Sequence, residues 1–152
     1  MAIKLVYDKY QNDIGFTYGE NEGNHQHEIL TKINENDIDQ DREISIFTWG
    51  IKKHKAPECD IVFDATLFST KTNVDVKKLN GLDEVIQISI INHPMFDLII
   101  EKIITEIEIN NPKTIGIYCN YGKHRSVGWA ELLRNLYYSK SITHHIGLYR
   151  SN

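Results

Sequence analysis

At 152 residues, 41% hydrophobic and 25% charged, the chain has the size and balance of one ordered globular domain, not of a disordered segment. Its formal net charge of −4 gives no electrostatic reason to expect a nucleic-acid partner, so an anion site has to be a local basic patch on an acidic body. No apolar run approaches the roughly 20 residues of a membrane span, residues 1–11 lack a signal-peptide pattern, and Cys59 and Cys119 make no disulfide framework, so a cytoplasmic protein is expected.

Ile3-Lys4-Leu5-Val6-Tyr7 reads as a first strand, residues 13–23 as a glycine-punctuated hairpin arm or loop, and residues 25–36 as a short helix. Residues 34–42 are a polar surface connection. Ile44-Ser45-Ile46-Phe47-Thr48-Trp49-Gly50 alternates and closes on glycine, as a strand does. A basic, proline-containing connection over 51–58 leads to Cys59-Asp60-Ile61-Val62-Phe63-Asp64-Ala65-Thr66. That continuous apolar run suits a central strand buried on both faces, with Asp64 at its carboxyl end. Residues 69–83 read as a long loop with Asn80-Gly81 as turn chemistry. Residues 85–91 fit strand and helix equally. Pro94 marks the start of a helix whose apolar stripe is Ile99, Ile100, Ile103, Ile104 and Ile107, and Asn110-Asn111-Pro112 ends it.

The strand Ile115-Gly116-Ile117-Tyr118-Cys119 runs straight into a polar loop, Asn120-Tyr121-Gly122-Lys123-His124-Arg125-Ser126. An amphipathic helix follows, with Val127, Ala130, Leu133 and Tyr137 on one face. Trp129 faces away from that stripe, and the sequence does not decide whether it lies in an interface. His144 lies in a final strand over 142–148. The alternation predicts an α/β domain with a mixed or mostly parallel sheet flanked by helices. In such sheets ligands bind beyond the carboxyl ends of the strands, where Cys119 and Asp64 both lie.

The helix after the loop opens with N–H groups that have no intrahelical acceptor and carry the positive end of its dipole. With Lys123, His124 and Arg125 beside them and Ser126 as an N-cap, a phosphate is the natural guest. Cys119, five residues, then Arg125-Ser126 also fits the C-x5-R-[S/T] loop of protein tyrosine phosphatases. A thiol at a helix N-terminus beside a guanidinium is activated as thiolate, and the arginine fork binds phosphate oxygens. Under that reading Cys119 is the nucleophile, Arg125 the clamp and Asp64, or less directly Asp83, the general acid. Tyr118 stands where those phosphatases usually have histidine.

The segment 119–127 also resembles G-C-T-G-G-[KQ]-H-R-S-V, which marks the C-terminal domain of the RapZ family of bacterial RNase adapter proteins. Phe47-Thr48-Trp49-Gly50 is similar to that family's F-K-Y-G, Ile61-Val62-Phe63-Asp64-Ala65-Thr66 to its L-V-F-D-V-R, and Gly81-Leu82-Asp83 to the G-L-D of its T-G-L-D. The resemblance implies a ligand-binding region over 44–152, preceded by a strand and a variable segment over 1–43, in one compact domain. In the family this domain senses glucosamine-6-phosphate; a nucleotide-binding P-loop domain accompanies it there, but no G-x-x-x-x-G-K-[S/T] occurs in these residues. Thr66 stands in place of the family's arginine, Asn120 in place of threonine and Tyr121 in place of glycine. What carries over is a phosphorylated small molecule, sugar phosphate or nucleotide-like. Cys119, Asn120, Tyr121, Gly122, Lys123, His124, Arg125 and Ser126 would hold the phosphate, and Asp64 and Asp83 would form a polar rim. A protein partner or a second copy of the chain is compatible with this, and a vestigial loop in an interaction module is the third reading.

No cofactor is expected. His25-Gln26-His27 and His144-His145 lack the i, i+4 spacing of a helical metal site, so no metal is expected either, although His144 or His145 is placed to approach the anion loop.

Overall fold

The structure, a computed structural model, describes residues 3–5, 37–66 and 78–149. In chain order these form β1 (Ile3–Leu5), β2 (Ser45–Gly50), β3 (Ile61–Asp64), α1 (Glu84–Ile91), α2 (Phe96–Asn110), β4 (Thr114–Cys119), α3 (Arg125–Leu136), β5 (Ile142–His145) and the single turn α4 (Ile146–Tyr149). The expected hairpin arm at 13–23, the helix at 25–36 and most of the loop at 69–83 lie outside the described residues.

The strands form one sheet in the order β1-β3-β4-β2-β5, and every pairing is parallel. All five carboxyl ends therefore share one edge, and β4 is the central strand. The expected sheet is thus parallel throughout among the described residues. Strand alternation sorts the side chains by face. Ile46, Ile115 and Ile61 form one cross-strand row and Thr48, Ile117 and Phe63 the next, with Cys119 beside Gly50 beyond them. This face packs under the helices: Ile86 and Ile90 of α1, Ile99, Ile103, Ile104 and Ile107 of α2, and Trp129, Ala130 and Leu133 of α3 join it in one buried cluster. The opposite face carries Phe47 stacked on His144 at 4.6 Å and Trp49 tilted against Tyr118 at 5.6 Å. Cys59 lies against this face at Gly116, and burial pushes its thiol up to about 11, which leaves it inert at neutral pH.

Residues 85–91 are helix, not strand. Asp83 has the extended backbone of an N-cap, and Ile86 and Ile90 face α3 while Val85, Ile88 and Ile91 remain exposed. Asn111, with φ of 51°, ends α2 by entering the left-handed region that asparagine tolerates. The last strand stops at His145, where the chain coils into α4. Among the described residues no helix is long and apolar enough to cross a membrane.

Trp129, which the sequence leaves open, has a definite place. Every residue of α3 from Ser126 to Leu133 is buried, because the helix is wrapped by the sheet on one side and by α1 and α2 on the others. The indole is 1% exposed and stacks on Phe96 at 5.3 Å, so it belongs to the core and not to an interface. Trp129→Ala is therefore expected to cost about 3–5 kcal/mol, the usual loss for truncating a buried aromatic, read as a shift of the urea unfolding midpoint that does not depend on protein concentration.

Candidate functional site

β4 ends at Cys119, which is buried; its Sγ lies 3.1 Å from Ser126 Oγ and accepts the Gly122 N–H at 3.3 Å. The loop thus folds back over the sulfur. Ser126 is not the N-cap. That position belongs to His124, whose side chain makes no capping bond, and Ser126 sits inside the first turn of α3 with its hydroxyl toward the thiol.

The loop's carbonyls are engaged from outside. Cys119 O and Asn120 O accept the N–H groups of Ile51 and Lys52 at 2.9 and 3.1 Å, on the β2 side. Lys123 O accepts the Gly81 N–H at 2.7 Å, on the α1 side. In a planar trans peptide the N–H points opposite to the C=O. The amides of Asn120, Tyr121 and His124 are therefore turned away from the two flanking segments. The uncapped start of α3 adds its dipole and its own N–H groups. Backbone amides held in this way are a geometry in which an anion can be received.

Such a loop requires glycine at two crossing points. Gly122 has φ of 76°, and a Cβ there would come within 2.5 Å of Gly50 N. A Cβ at Gly50 would in turn meet the Tyr121 carbonyl carbon at 2.4 Å. Backbone thus lies directly on backbone, because the register that pairs Gly50 with Cys119 leads both chains off the sheet side by side.

Side chains complete the rim. Lys123 is exposed, His124 Nε2 donates to Leu79 O at 2.7 Å, and the Arg125 guanidinium donates to the Thr66 carbonyl just past β3. Tyr121 is half exposed, and the ammonium groups of Lys52 and Lys53 stand 5.8 and 5.6 Å from its ring centre. Asp64 shares the strand-end edge, but its register partner is Tyr118, so the pleat assigns it to the face opposite Cys119. Its Oδ1 accepts the Thr66 N–H at 2.8 Å. Asp83 Oδ2 accepts the Asn80 N–H at 2.7 Å and shapes the turn that grips Lys123. The structure thus brings 119–126 together as one loop and puts both carboxylates into the backbone turns beside it.

Behind the loop runs a buried polar chain. His145 Nδ1 lies 2.8 Å from Thr48 Oγ1 and its Nε2 lies 2.6 Å from Glu131 Oε2, with Arg134 on the other carboxylate oxygen at 2.9 Å. A carboxylate only accepts, so Nε2 carries the proton. His145 therefore belongs to the support, and His144 lies against Phe47 instead of the loop. The hydrogen bond from His145, with those of Arg134 and Thr143, outweighs burial and holds Glu131 down to about 2. α4 follows at once and backs onto the loop: a Cβ at Gly147 would approach Gly122 O to 2.4 Å.

Sequence reading missed Lys52, Lys53 and the support formed by Thr48, Glu131 and His145. The basic run after a strand-closing glycine was a usable signal for the lysines. Nothing in the spacing of residues 48, 131 and 145 pairs them.

Fold and loop together define an open parallel α/β domain with a strand–loop–helix unit at the carboxyl edge of its sheet. The model of the RapZ C-terminal domain matches residues 42–148, and the chain belongs to that family. It is similar to a nucleotide-binding protein of Finegoldia magna, with 28% identity over 141 residues, 86% of this chain and 48% of that one. It also resembles a nucleotide-binding protein of Tolumonas auensis, with 31% identity over 122 residues, 72% of this chain and 42% of the relative. For a third, from a Thermotoga species, the figures are 28% over 110 residues, 66% and 39%. The chain spans less than half the length of each of these relatives.

Gly122→Ala is expected to destabilise the protein by at least about 1–2 kcal/mol from backbone conformation alone, and by more if Gly50 cannot shift, as chemical denaturation would report. The depressed carboxyl of Glu131 sets an acid limit. A carboxylate held below its ordinary 4.5 contributes stability that is complete above that value and is lost as pH falls toward about 2. Wild type should therefore lose stability relative to Glu131→Gln between those two pH values, and parallel curves would refute the pairing.

Proposed function

We propose that residues 44–152 form a binding region for a phosphorylated small molecule, sugar phosphate or nucleotide-like, with the phosphate held by the loop 119–126. The observation that carries this reading is the outward engagement of the carbonyls of Cys119, Asn120 and Lys123, which turns the opposed amides away from both flanking segments. Those amides, the start of α3 and Arg125 supply donors to an anion without any metal ligand being needed. Lys123 and His124 raise the local positive charge on an acidic chain. The relatives' designation as nucleotide-binding proteins supports a nucleotide-like ligand, and family membership supports a sugar phosphate. Thr66, Asn120 and Tyr121 depart from the family pattern, so the rest of the ligand need not be the family's. A reducing, cytoplasmic setting suits Cys59 and Cys119, which are both free thiols.

A second reading rests on the sulfur. The Gly122 N–H and the Ser126 hydroxyl next to Cys119 Sγ are what a nucleophilic thiolate would use. It would attack phosphorus, expel an alcohol and release phosphate on hydrolysis of the thiophosphate. Asp64 is poorly aimed for the acid step, since it belongs to the other sheet face, which favours binding over turnover.

Arg125→Ala should weaken inorganic phosphate binding by about 1.5–3 kcal/mol, the range for a charge-assisted hydrogen bond, measured by isothermal titration; unchanged affinity rules out this site. Cys119→Ser should leave phosphate affinity nearly intact. Aryl phosphate hydrolysis by wild type that vanishes in Cys119→Ser would instead establish the enzyme.

A further inference from the structure

We infer that the ligand carries a second anionic group adjacent to the first, a diphosphate, and that Lys52 and Lys53 receive it beside Tyr121. The inference rests on the phosphate reading of the loop and adds a subsite to it. The turn leaving β2 is closed on itself: Gly50 O accepts the N–H groups of Lys53 and His54 at 3.0 and 2.9 Å, and the Gly50 N–H donates to His54 Nδ1 at 2.9 Å. Lys52 N–H is fastened to Asn120 O at 3.1 Å, so this turn moves with the phosphate loop as one body.

From that fixed turn two ammonium groups come to within 5.8 and 5.6 Å of the centre of one half-exposed ring, that of Tyr121 in the loop. Among the described residues neither lysine has a carboxylate partner, whereas Lys140, the lysine in an ion pair there, has Asp41. Two like charges over one ring repel each other, and the ring's quadrupole offsets that only in part. An anion between them removes the repulsion. A lone phosphate held by the amides and Arg125 leaves the lysines unused, whereas a second phosphate bonded to it can lie beside Tyr121, where the two ammonium groups stand. Position 121 is the one where this chain replaces the glycine of the family pattern.

The test is isothermal titration of the full chain with inorganic phosphate and with inorganic pyrophosphate, for wild type, the double variant Lys52→Ala/Lys53→Ala, and Arg125→Ala. Both lysines are exposed, so the double variant should fold as wild type does. The expected result is that the double variant keeps the phosphate affinity and loses about tenfold in pyrophosphate affinity, as two partly exposed ion pairs would give, while Arg125→Ala weakens both probes. Pyrophosphate affinity unchanged in the double variant overturns the diphosphate subsite and leaves the phosphate loop standing. Failure of wild type to bind either probe overturns the loop reading, and the subsite with it.

Discussion

The loop after β4 keeps its shape because the carbonyls of Cys119, Asn120 and Lys123 are taken by donors on two different segments, the turn leaving β2 and the turn entering α1. Peptide planarity then fixes where the amides face. Everything chemical about the site follows from that orientation. A loop of the same sequence with its carbonyls turned inward would repel an anion, whatever lysines and arginines surrounded it. The two glycines at the crossing of 50 and 122 are the steric condition for the arrangement, since backbone can approach backbone so closely only without a Cβ.

The parallel sheet supplies the scaffold. With every strand running the same way, the exits of β2, β3 and β4 reach one edge, so residues 50–54, 64–66 and 119–126 meet there although they are far apart in sequence. Arg125 bonds to the chain leaving β3, and Lys52 to the chain leaving β4. Beneath them the Thr48–His145–Glu131–Arg134 chain ties β2, β5 and α3 together, and α4 passes from it straight to Gly122. Buried hydrogen-bonded polar groups of this kind are costly to break from one side, because the partner is left unsatisfied. The chain thereby supports the loop from the sheet side.

How legible this was depends on the kind of signal. The strands over 44–50, 61–64 and 114–119, the α2 stripe and the strand–loop–helix unit all have local patterns, and each was readable. The run 85–91 was not, because so short and mostly apolar a stretch satisfies both periods; its helical state comes from packing of Ile86 and Ile90 against α3. Trp129 could not be placed from sequence, because a single stripe does not show that α3 is covered nearly all round. Ser126 was misread as the cap because a hydroxyl at a loop–helix junction usually plays that part; here the sulfur at Cys119 claims it. Lys52, Lys53 and His145 act through register between distant strands, which spacing along one chain does not encode.

The RapZ C-terminal domain match over residues 42–148 includes the loop, and the loop's own shape is set by its hydrogen bonds to the turns beside it. The departures at Thr66, Asn120 and Tyr121 ring the loop without altering its carbonyl clamps. On the proposed reading a bound phosphate meets the amides of Asn120, Tyr121 and His124, and an amide-resolved NMR titration with inorganic phosphate reads each of them. The account predicts that the largest saturable shifts fall on those three amides and on the first turn of α3. Saturable shifts centred elsewhere, or none in the loop, would contradict it.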